Sequence, residues 1–207
     1  MPILDEIARE RAVLADLLDT LTAEQLAGPS LCGAWTIHQV AGHLLMPLVT
    51  SPVQVGLAGI RARGNFDRAN DLLTRAFAER PIGEISAGLR TEARNRFHPP
   101  IFGLEAPMAE LVLHGEDIRR PLGLPVAFPP AAVRATLEHL AGPRARIGFV
   151  PRGRLRGLRL EADDVDWSHG AGELVRGPGV SLAYAMSGRS AGLADLHGPG
   201  VAVLASR

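Results

Sequence analysis

Two ionisable residues, Glu110 and His114, stand four positions apart within an apolar stretch of the chain. In an α-helix, residues four apart share one face and lie about 6 Å apart along the axis, so both side chains project together. The neighbours Leu111, Val112 and Leu113 predict that this helix is buried, and a buried ionisable pair needs a partner. We interpret the pair as two ligands of a divalent metal. A simple hydrogen-bonded pair, which is common at this spacing, remains the alternative.

A third ligand is expected from an earlier helix. Thr36 and Gln39 form a capping-box pattern, which predicts a helix that begins at Thr36 and runs towards Pro47. On this helix His43 shares a face with apolar residues such as Val40, and we therefore expect its imidazole to point inward. His43 is the predicted third metal ligand.

The elements that must hold these residues are mainly helical up to about residue 145. Apolar residues recur at helical spacing over residues 3–21, 66–79, 104–120 and 131–140, whereas residues 56–63 give a weak signal that favours a loop or a frayed helix. This pattern is typical of a helical bundle.

The last 60 or so residues have a different pattern. Apolar and polar residues alternate over 155–162, which predicts a strand, and residues 165–168 are its expected partner. Residues 178–187 and 191–196 predict short helices, and residues 201–204 predict a closing strand. We therefore expect an α+β fold, with a helical bundle over residues 1–145 and a small α/β domain over residues 146–207.

Composition excludes several functional classes. The 207 residues carry 22 basic and 22 acidic side chains, so there is no net charge to attract nucleic acid or an anionic membrane. All the basic residues except histidine are arginine, which we interpret as the codon bias of a high-GC genome, such as an actinobacterial one. The segment that comes nearest to a membrane span, residues 39–60, contains no Asp, Glu, Lys or Arg, but Pro47 and Pro52 interrupt it, so no membrane span is expected.

The single cysteine, Cys32, excludes an internal disulfide and fits a reducing cytosol. The N-terminus lacks a signal pattern, and we expect a cytoplasmic protein, either a monomer or a homodimer. We interpret Cys32 as a buried packing residue, because no base accompanies it at a recognisable spacing. Four further histidines have no partner pattern and are expected in loops or on the surface. These are His98, His139, His169 and His197.

Motifs around the predicted ligands resemble those of a known family. The segments are residues 31–36 leading into residues 40–44, and Glu110 followed by residues 114–120. They resemble the mycothiol-dependent maleylpyruvate isomerase family, which belongs to the broader DinB-like metal-binding four-helix bundles. The C-terminal residues resemble that family's C-terminal domain as well. The matching segments are residues 166–167, 172–178, 187–189 and 196–200.

The resemblance implies a zinc ion held by His43, Glu110 and His114. Three protein ligands leave one coordination position open, as catalytic zinc requires, although nickel or iron would also accept this set. The open position can take mycothiol as a thiolate, because the cation stabilises the anion. In the isomerase that names the family, the resemblance implies that this thiolate adds to a cis enoyl acid. Rotation and loss of the thiol then give the trans isomer.

Three further residues are predicted to take part. Asp117 is expected either to orient a ligating imidazole or bound substrate, or to form an ion pair with Arg119 or Arg120, and the sequence leaves both open. Arg189 matches an arginine of the family and is expected to bind a carboxylate of the thiol or the substrate, with Arg176 as the second candidate. A solvated arginine is the alternative for both.

Three functions fit this pattern. The first is an enzyme in which mycothiol is the nucleophile or co-substrate, either an isomerase or an S-transferase acting on small electrophiles. The second is a metal-binding or ligand-binding protein that does not catalyse a reaction. The third is a metal-dependent hydrolase, in which water replaces the thiol.

Overall fold

The computed structural model describes residues 3–98, 102–126 and 128–207. Helices dominate these residues, and one three-stranded sheet lies near the C-terminus, which confirms the predicted α+β class. The helices are α1 (Ile3–Thr20), α2 (Ala23–Ala27), α3 (Ile37–Val49), α4 (Pro52–Arg61), α5 (Phe66–Phe77), α6 (Ile82–Thr91), α7 (Glu105–Arg119), α8 (Pro130–Ala141), α9 (Gly179–Met186) and α10 (Gly200–Ala205). The strands are β1 (Leu158–Ala162), β2 (Ser168–Gly170) and β3 (Glu173–Gly177).

The chain divides into two compact units. The first contains Met1–Phe97 and His114–Pro125, and the second contains His98–Leu113 and Val126–Arg207. Helix α7 is continuous and contributes residues to both. Helix α8 packs against α9 and lies in the second unit with the C-terminal residues. The domain boundary expected at residue 145 stays a prediction.

The first unit is built from amphipathic helices. Helix α1 packs against α6, and α3 packs against α5 and α6. Thr36 caps α3 with the predicted capping box, so this helix begins where the sequence indicated. Arg11 of α1 is buried and donates hydrogen bonds to the carbonyl oxygens of Glu92, Ala93 and Asn95, just after α6. Burial lowers the pKa of Arg11 to about 10.

The second unit is organised around the sheet, whose strand order is β2-β1-β3. Strand β1 pairs antiparallel with β2 and parallel with β3, and the register places Leu160 opposite both His169 and Val175. Leu160 and Val175 are fully buried, as is Tyr184 of α9. Arg154 is buried as well, and its Nε donates to the carbonyl oxygen of Ala185.

One local prediction was wrong, because residues 201–204 belong to helix α10 rather than a strand. Residues 56–61 belong to α4, which agrees with the helical alternative of the two that the sequence left open, and strand β3 was not predicted. A short apolar run fits a buried helix and a strand equally well, which explains the error at α10. For α4 the signal was present, because Ser51 and Gln54 form a capping box and Pro52 occupies the first turn.

No helix within the described residues is both long enough and apolar enough to cross a membrane.

Candidate metal centre

Three predicted ligands, one on helix α3 and two on helix α7, have donor atoms close to one another. The imidazole rings of His43 and His114, both in the first unit, have centroids 4.9 Å apart and are nearly perpendicular at 73°. Glu110 lies one turn before His114 on the same continuous helix, so helix geometry places its carboxylate on the same face. One ligand atom from each of the three residues lies within 4.8 Å of the other two.

These distances suit a metal ion after small side-chain rotations. Nitrogen and oxygen donors of one tetrahedral zinc ion lie about 2.0–2.1 Å from the ion, and hence about 3.4 Å from one another. The donor atoms lie within 4.8 Å of one another, and rotation of the side chains would bring them to this spacing. The described residues therefore fit a cation held by two imidazoles and one carboxylate, a donor set that zinc accepts.

His43 is oriented by two neighbours. Its Nδ1 lies 3.3 Å from Oγ1 of Thr74, a fully buried residue of α5, and its ring lies 5.0 Å from the ring of Trp35. Trp35 is held in turn, because its indole Nε1 donates to Asp71 at 2.8 Å. The contact between Nδ1 and Thr74 limits rotation of the His43 ring, and a neutral imidazole can bind a metal through its other nitrogen.

His114 is oriented by Asp117. Its Nδ1 lies 2.9 Å from Oδ2 of Asp117, which is completely buried, while His114 itself is only 7% exposed. A carboxylate in this position fixes the imidazole tautomer and ring angle, as is usual for metal-ligating histidines. The backbone near Asp117 is also anchored, because its carbonyl oxygen accepts a hydrogen bond from the Leu31 N–H at 3.1 Å.

Beside these residues, α7 carries several buried charges. Nε of Arg120 donates to the Glu116 carboxylate at 2.8 Å, and Glu116 is completely buried. Burial raises the pKa of Glu116, and it likewise raises the pKa of Glu10, a buried residue of α1. Burial lowers the pKa of Arg119, although the nearby Glu116 and Glu10 partly offset this. The charges of Glu10, Glu116 and Arg119 therefore influence one another within the first unit.

The two arginines predicted to bind a carboxylate lie in the second unit. The half-buried Arg189 has its guanidinium 5.4 Å from the ring centroid of Tyr184, and its Nη1 donates to Oγ of Ser187 at 3.1 Å. Arg176 lies on β3 with an exposed side chain, and its backbone pairs with that of His197. Their predicted roles, like those of Asp117 and the three ligands, stay predictions.

Several neighbours of the site were missed from the sequence. Thr74 is a buried residue of the amphipathic helix α5. Its position about one turn before the apolar Phe77 was the one sequence feature that could have indicated that it faces inward. Asp71 has no sequence signal, since its link to Trp35 depends on the tertiary fold. Cys32, expected to be buried packing, is half-buried, and its Sγ lies within 4.8 Å of ligand atoms of His114 and Asp117.

His139 also differs from the prediction. It was expected in a loop or on the surface, but it is a buried residue of α8 and lies edge-on to Phe149 at 4.9 Å. Burial lowers the pKa of this imidazole.

The fold and the clustered donors define an α+β chain with a candidate three-ligand metal centre on helices α3 and α7. Residues 7–50 match a family model described as the mycothiol maleylpyruvate isomerase N-terminal domain. This match supports the resemblance to the mycothiol-dependent maleylpyruvate isomerase family that the motifs predicted.

Two solved structures support the fold over nearly the whole chain. A crystal structure of the mycothiol-dependent maleylpyruvate isomerase has 14% sequence identity and a TM-score of 0.58, covering 96% of this chain and 95% of that one. A crystal structure of a histidine-to-alanine mutant of the mycothiol-dependent maleylpyruvate isomerase has 15% identity, a TM-score of 0.54 and the same coverage. At these identities the likeness shows the fold alone. A search of curated proteins by sequence found no significant match.

Proposed function

We propose that this chain is a zinc-dependent enzyme that uses mycothiol as nucleophile or co-substrate on a small electrophile. The reaction is either a maleylpyruvate isomerase-like isomerisation or an S-transfer. The observation that carries the proposal is the convergence of His43, Glu110 and His114, in a chain whose N-terminal residues match the family domain.

The donor set supports this chemistry. His43, Glu110 and His114 would hold the cation through two imidazole nitrogens and one carboxylate oxygen, which leaves room for a further ligand. Zinc bound there would lower the pKa of a thiol or a water molecule, so that a nucleophile is available at neutral pH.

The chain's own residues prepare the ligands. The Asp117 carboxylate lies 2.9 Å from Nδ1 of His114, and Oγ1 of Thr74 lies 3.3 Å from Nδ1 of His43, so both rings are held in a fixed orientation. The burial of Asp117 and Thr74 keeps water away from these two hydrogen bonds. Because these contacts already hold the two rings in place, the rings need little rearrangement when a cation binds.

Substrate binding is assigned to the arginines by analogy with the family. We infer that Arg189 binds a carboxylate of the thiol or of the electrophile, because a guanidinium forms two parallel hydrogen bonds with such a group. Arg176, exposed on β3, is the second candidate for this role.

The test combines metal analysis with a turnover assay. The purified protein should contain a divalent metal, and His114→Ala should lose it, whereas His38→Ala on the same helix as His43 should keep it. His38 is a suitable control because it is not one of the predicted ligands. Its Nε2 lies 3.0 Å from the carbonyl oxygen of Arg80. Full metal content in the His114 variant would refute the metal site.

Turnover is then measured on maleylpyruvate and on a generic electrophile, with and without mycothiol. The proposal requires activity that depends on the thiol. Activity in water alone would indicate a metal-dependent hydrolase instead. Bound metal with no turnover in either assay would indicate a metal-binding protein that does not catalyse these reactions.

A further inference from the structure

A carboxylate on helix α5 is connected to the predicted ligand His43 through one indole ring. Oδ1 of Asp71 accepts a hydrogen bond from Nε1 of Trp35 at 2.8 Å, across 36 positions of the chain. The rings of Trp35 and His43 have centroids 5.0 Å apart and planes inclined at 40°. This distance lies within the range of about 4.5–7 Å at which neighbouring aromatic rings attract one another. Asp71, Trp35 and His43 all belong to the first unit.

The backbone of Trp35 is held independently of this contact. Its N–H donates to the carbonyl oxygen of Cys32 at 3.1 Å. Its carbonyl oxygen accepts from the N–H of Ser30 at 3.0 Å and from the Ser30 hydroxyl at 2.7 Å. Because a tryptophan side chain has only two rotatable torsions, a fixed backbone and a fixed Nε1 together leave the indole little freedom to turn. The bond to Asp71 therefore restrains the ring at the position where it meets His43.

Helix α5 also contacts His43 directly. Thr74 follows Asp71 by three residues, so the two side chains share one face of the helix. Oγ1 of Thr74 lies 3.3 Å from Nδ1 of His43, and α5 packs against α3, the helix that carries this histidine. One face of α5 thus reaches His43 by two routes, directly through Thr74 and indirectly through Asp71 and the indole.

Asp71 has a second partner on its own helix. Nε of Arg75, one turn further along α5, donates to the two carboxylate oxygens at 3.0 and 2.9 Å. The hydrogen bonds from Arg75 and from Trp35 lower the pKa of Asp71, so its carboxylate is ionised at neutral pH. A hydrogen bond to an ionised acceptor is stronger than one between neutral groups, which favours a firm hold on the indole.

We propose that Asp71 is a positioning residue of the candidate metal centre and acts on His43 through Trp35, an inference that rests on the proposed function. By holding the indole, Asp71 keeps an aromatic surface against the His43 ring and restrains the orientation of this ligand. Without the bond the indole would turn more freely, and His43 would gain rotational freedom that is lost again when a cation binds. Removing the bond should therefore weaken metal binding roughly three- to tenfold, the size expected from one aromatic contact.

A surface ion pair is the competing explanation for Asp71. The side chains of Asp71 and Arg75 are 39% and 49% exposed, and exposed ion pairs four residues apart on a helix stabilise it only slightly. The two explanations differ in which partner of Asp71 matters. The proposal requires the bond to Trp35, whereas the alternative requires only the pair with Arg75. Variants that remove one partner at a time separate them.

The test measures how tightly the metal-free chain binds Co²⁺ in competition with a chelator. The ligand-field bands of the bound ion, which report the geometry of its ligands, are recorded in the same samples. Asp71→Leu removes the acceptor, so it should weaken Co²⁺ binding three- to tenfold, in line with one aromatic contact, and change these bands. Asp71→Asn keeps an amide oxygen that can accept from the indole and should restore wild-type binding. Arg75→Met removes the ion pair alone and should bind Co²⁺ as tightly as the wild-type chain.

A double-mutant cycle shows whether Asp71 acts through the indole. Trp35→Phe keeps an aromatic ring but lacks the N–H, so it should weaken Co²⁺ binding about as much as Asp71→Leu does. In the Trp35→Phe background, Asp71→Leu should have no further effect. An equal additional loss in that background would overturn the proposal, and so would a loss in Arg75→Met that matches the loss in Asp71→Leu.

The outcomes separate this proposal from the proposed function. Wild-type affinity and unchanged bands in a folded Asp71→Leu variant would overturn the role of Asp71 and leave the three-ligand centre in place. A wild-type chain that binds no Co²⁺ would overturn the centre itself and, with it, the proposed function. Circular dichroism establishes that each variant is folded. If Asp71→Leu does not fold, Trp35→Phe alone decides, because wild-type affinity in that variant would equally overturn the proposal.

Discussion

Replacing Asp117 by Asn tests how the site orients its ligands. The change keeps the size of the side chain but removes the negative charge that lies 2.9 Å from Nδ1 of His114. Loss of such a carboxylate partner typically lowers metal affinity 10–100-fold, which corresponds to about 1.4–2.7 kcal/mol. Because Asp117 is completely buried, solvent cannot replace the lost interaction.

The assay is a competition titration of Zn²⁺ against a chromophoric chelator. Asp67→Asn is the matched control, because it makes the same chemical change at an exposed position in the first turn of α5. The affinity of the control should equal that of the wild-type chain. A folded Asp117→Asn variant that binds Zn²⁺ as tightly as the wild-type chain would refute the orienting role of Asp117.

Three further predictions concern the neighbours of the site and the second unit. Thr74→Val, which keeps the side-chain volume but removes the partner of His43 Nδ1, should weaken Zn²⁺ binding by roughly tenfold in the same titration; unchanged affinity would contradict it. Gly42→Ala should destabilise the chain by about 1–3 kcal/mol in urea unfolding, because the added Cβ would meet the backbone nitrogen of Ala78 at 3.0 Å; wild-type stability would show that the helices can separate at no cost. Burial lowers the pKa of His139 below its ordinary 6.5, so the unfolded chain binds the proton more readily and stability should fall as the pH drops from 6.5 towards the lowered value. Thermal unfolding of wild type and His139→Gln across this range checks it, since the variant should lose part of the pH dependence.

The helices that carry the predicted ligands were legible from the sequence. Thr36 and Gln39 gave the start of α3, and the apolar residues around Glu110 and His114 gave α7, because capping and helical spacing are local properties of the chain. The relative position of His43 and His114 is a property of the tertiary fold. The inward face of His43 suggested it as a ligand, and the resemblance to a family supported placing it beside His114.

The orienting contacts could not be predicted in the same way. Asp117 lies three residues from His114, so their bond is local and was one of two interpretations that the sequence left open. The bonds from Thr74 to His43 and from Asp71 to Trp35 join residues more than 30 positions apart, and no spacing rule indicates them.

The C-terminal residues show where short segments mislead. Strand β3 contains five residues, and its pairing with β1 depends on contacts that local alternation does not report. Helix α10 begins at Gly200, where an added Cβ would come within 2.7 Å of the Glu173 carbonyl oxygen. This close approach to β3 favours glycine and cannot be inferred from the apolar residues that follow.

The indole of Trp35 lies against the imidazole of His43, and this contact makes the site optically readable. The chain has two tryptophans, and the other, Trp167, lies in the second unit. In a Trp167→Phe background the emission of the chain would come from Trp35 alone. A cation that draws electron density from the neighbouring imidazole would change that emission, so occupancy could be followed in real time without any added dye.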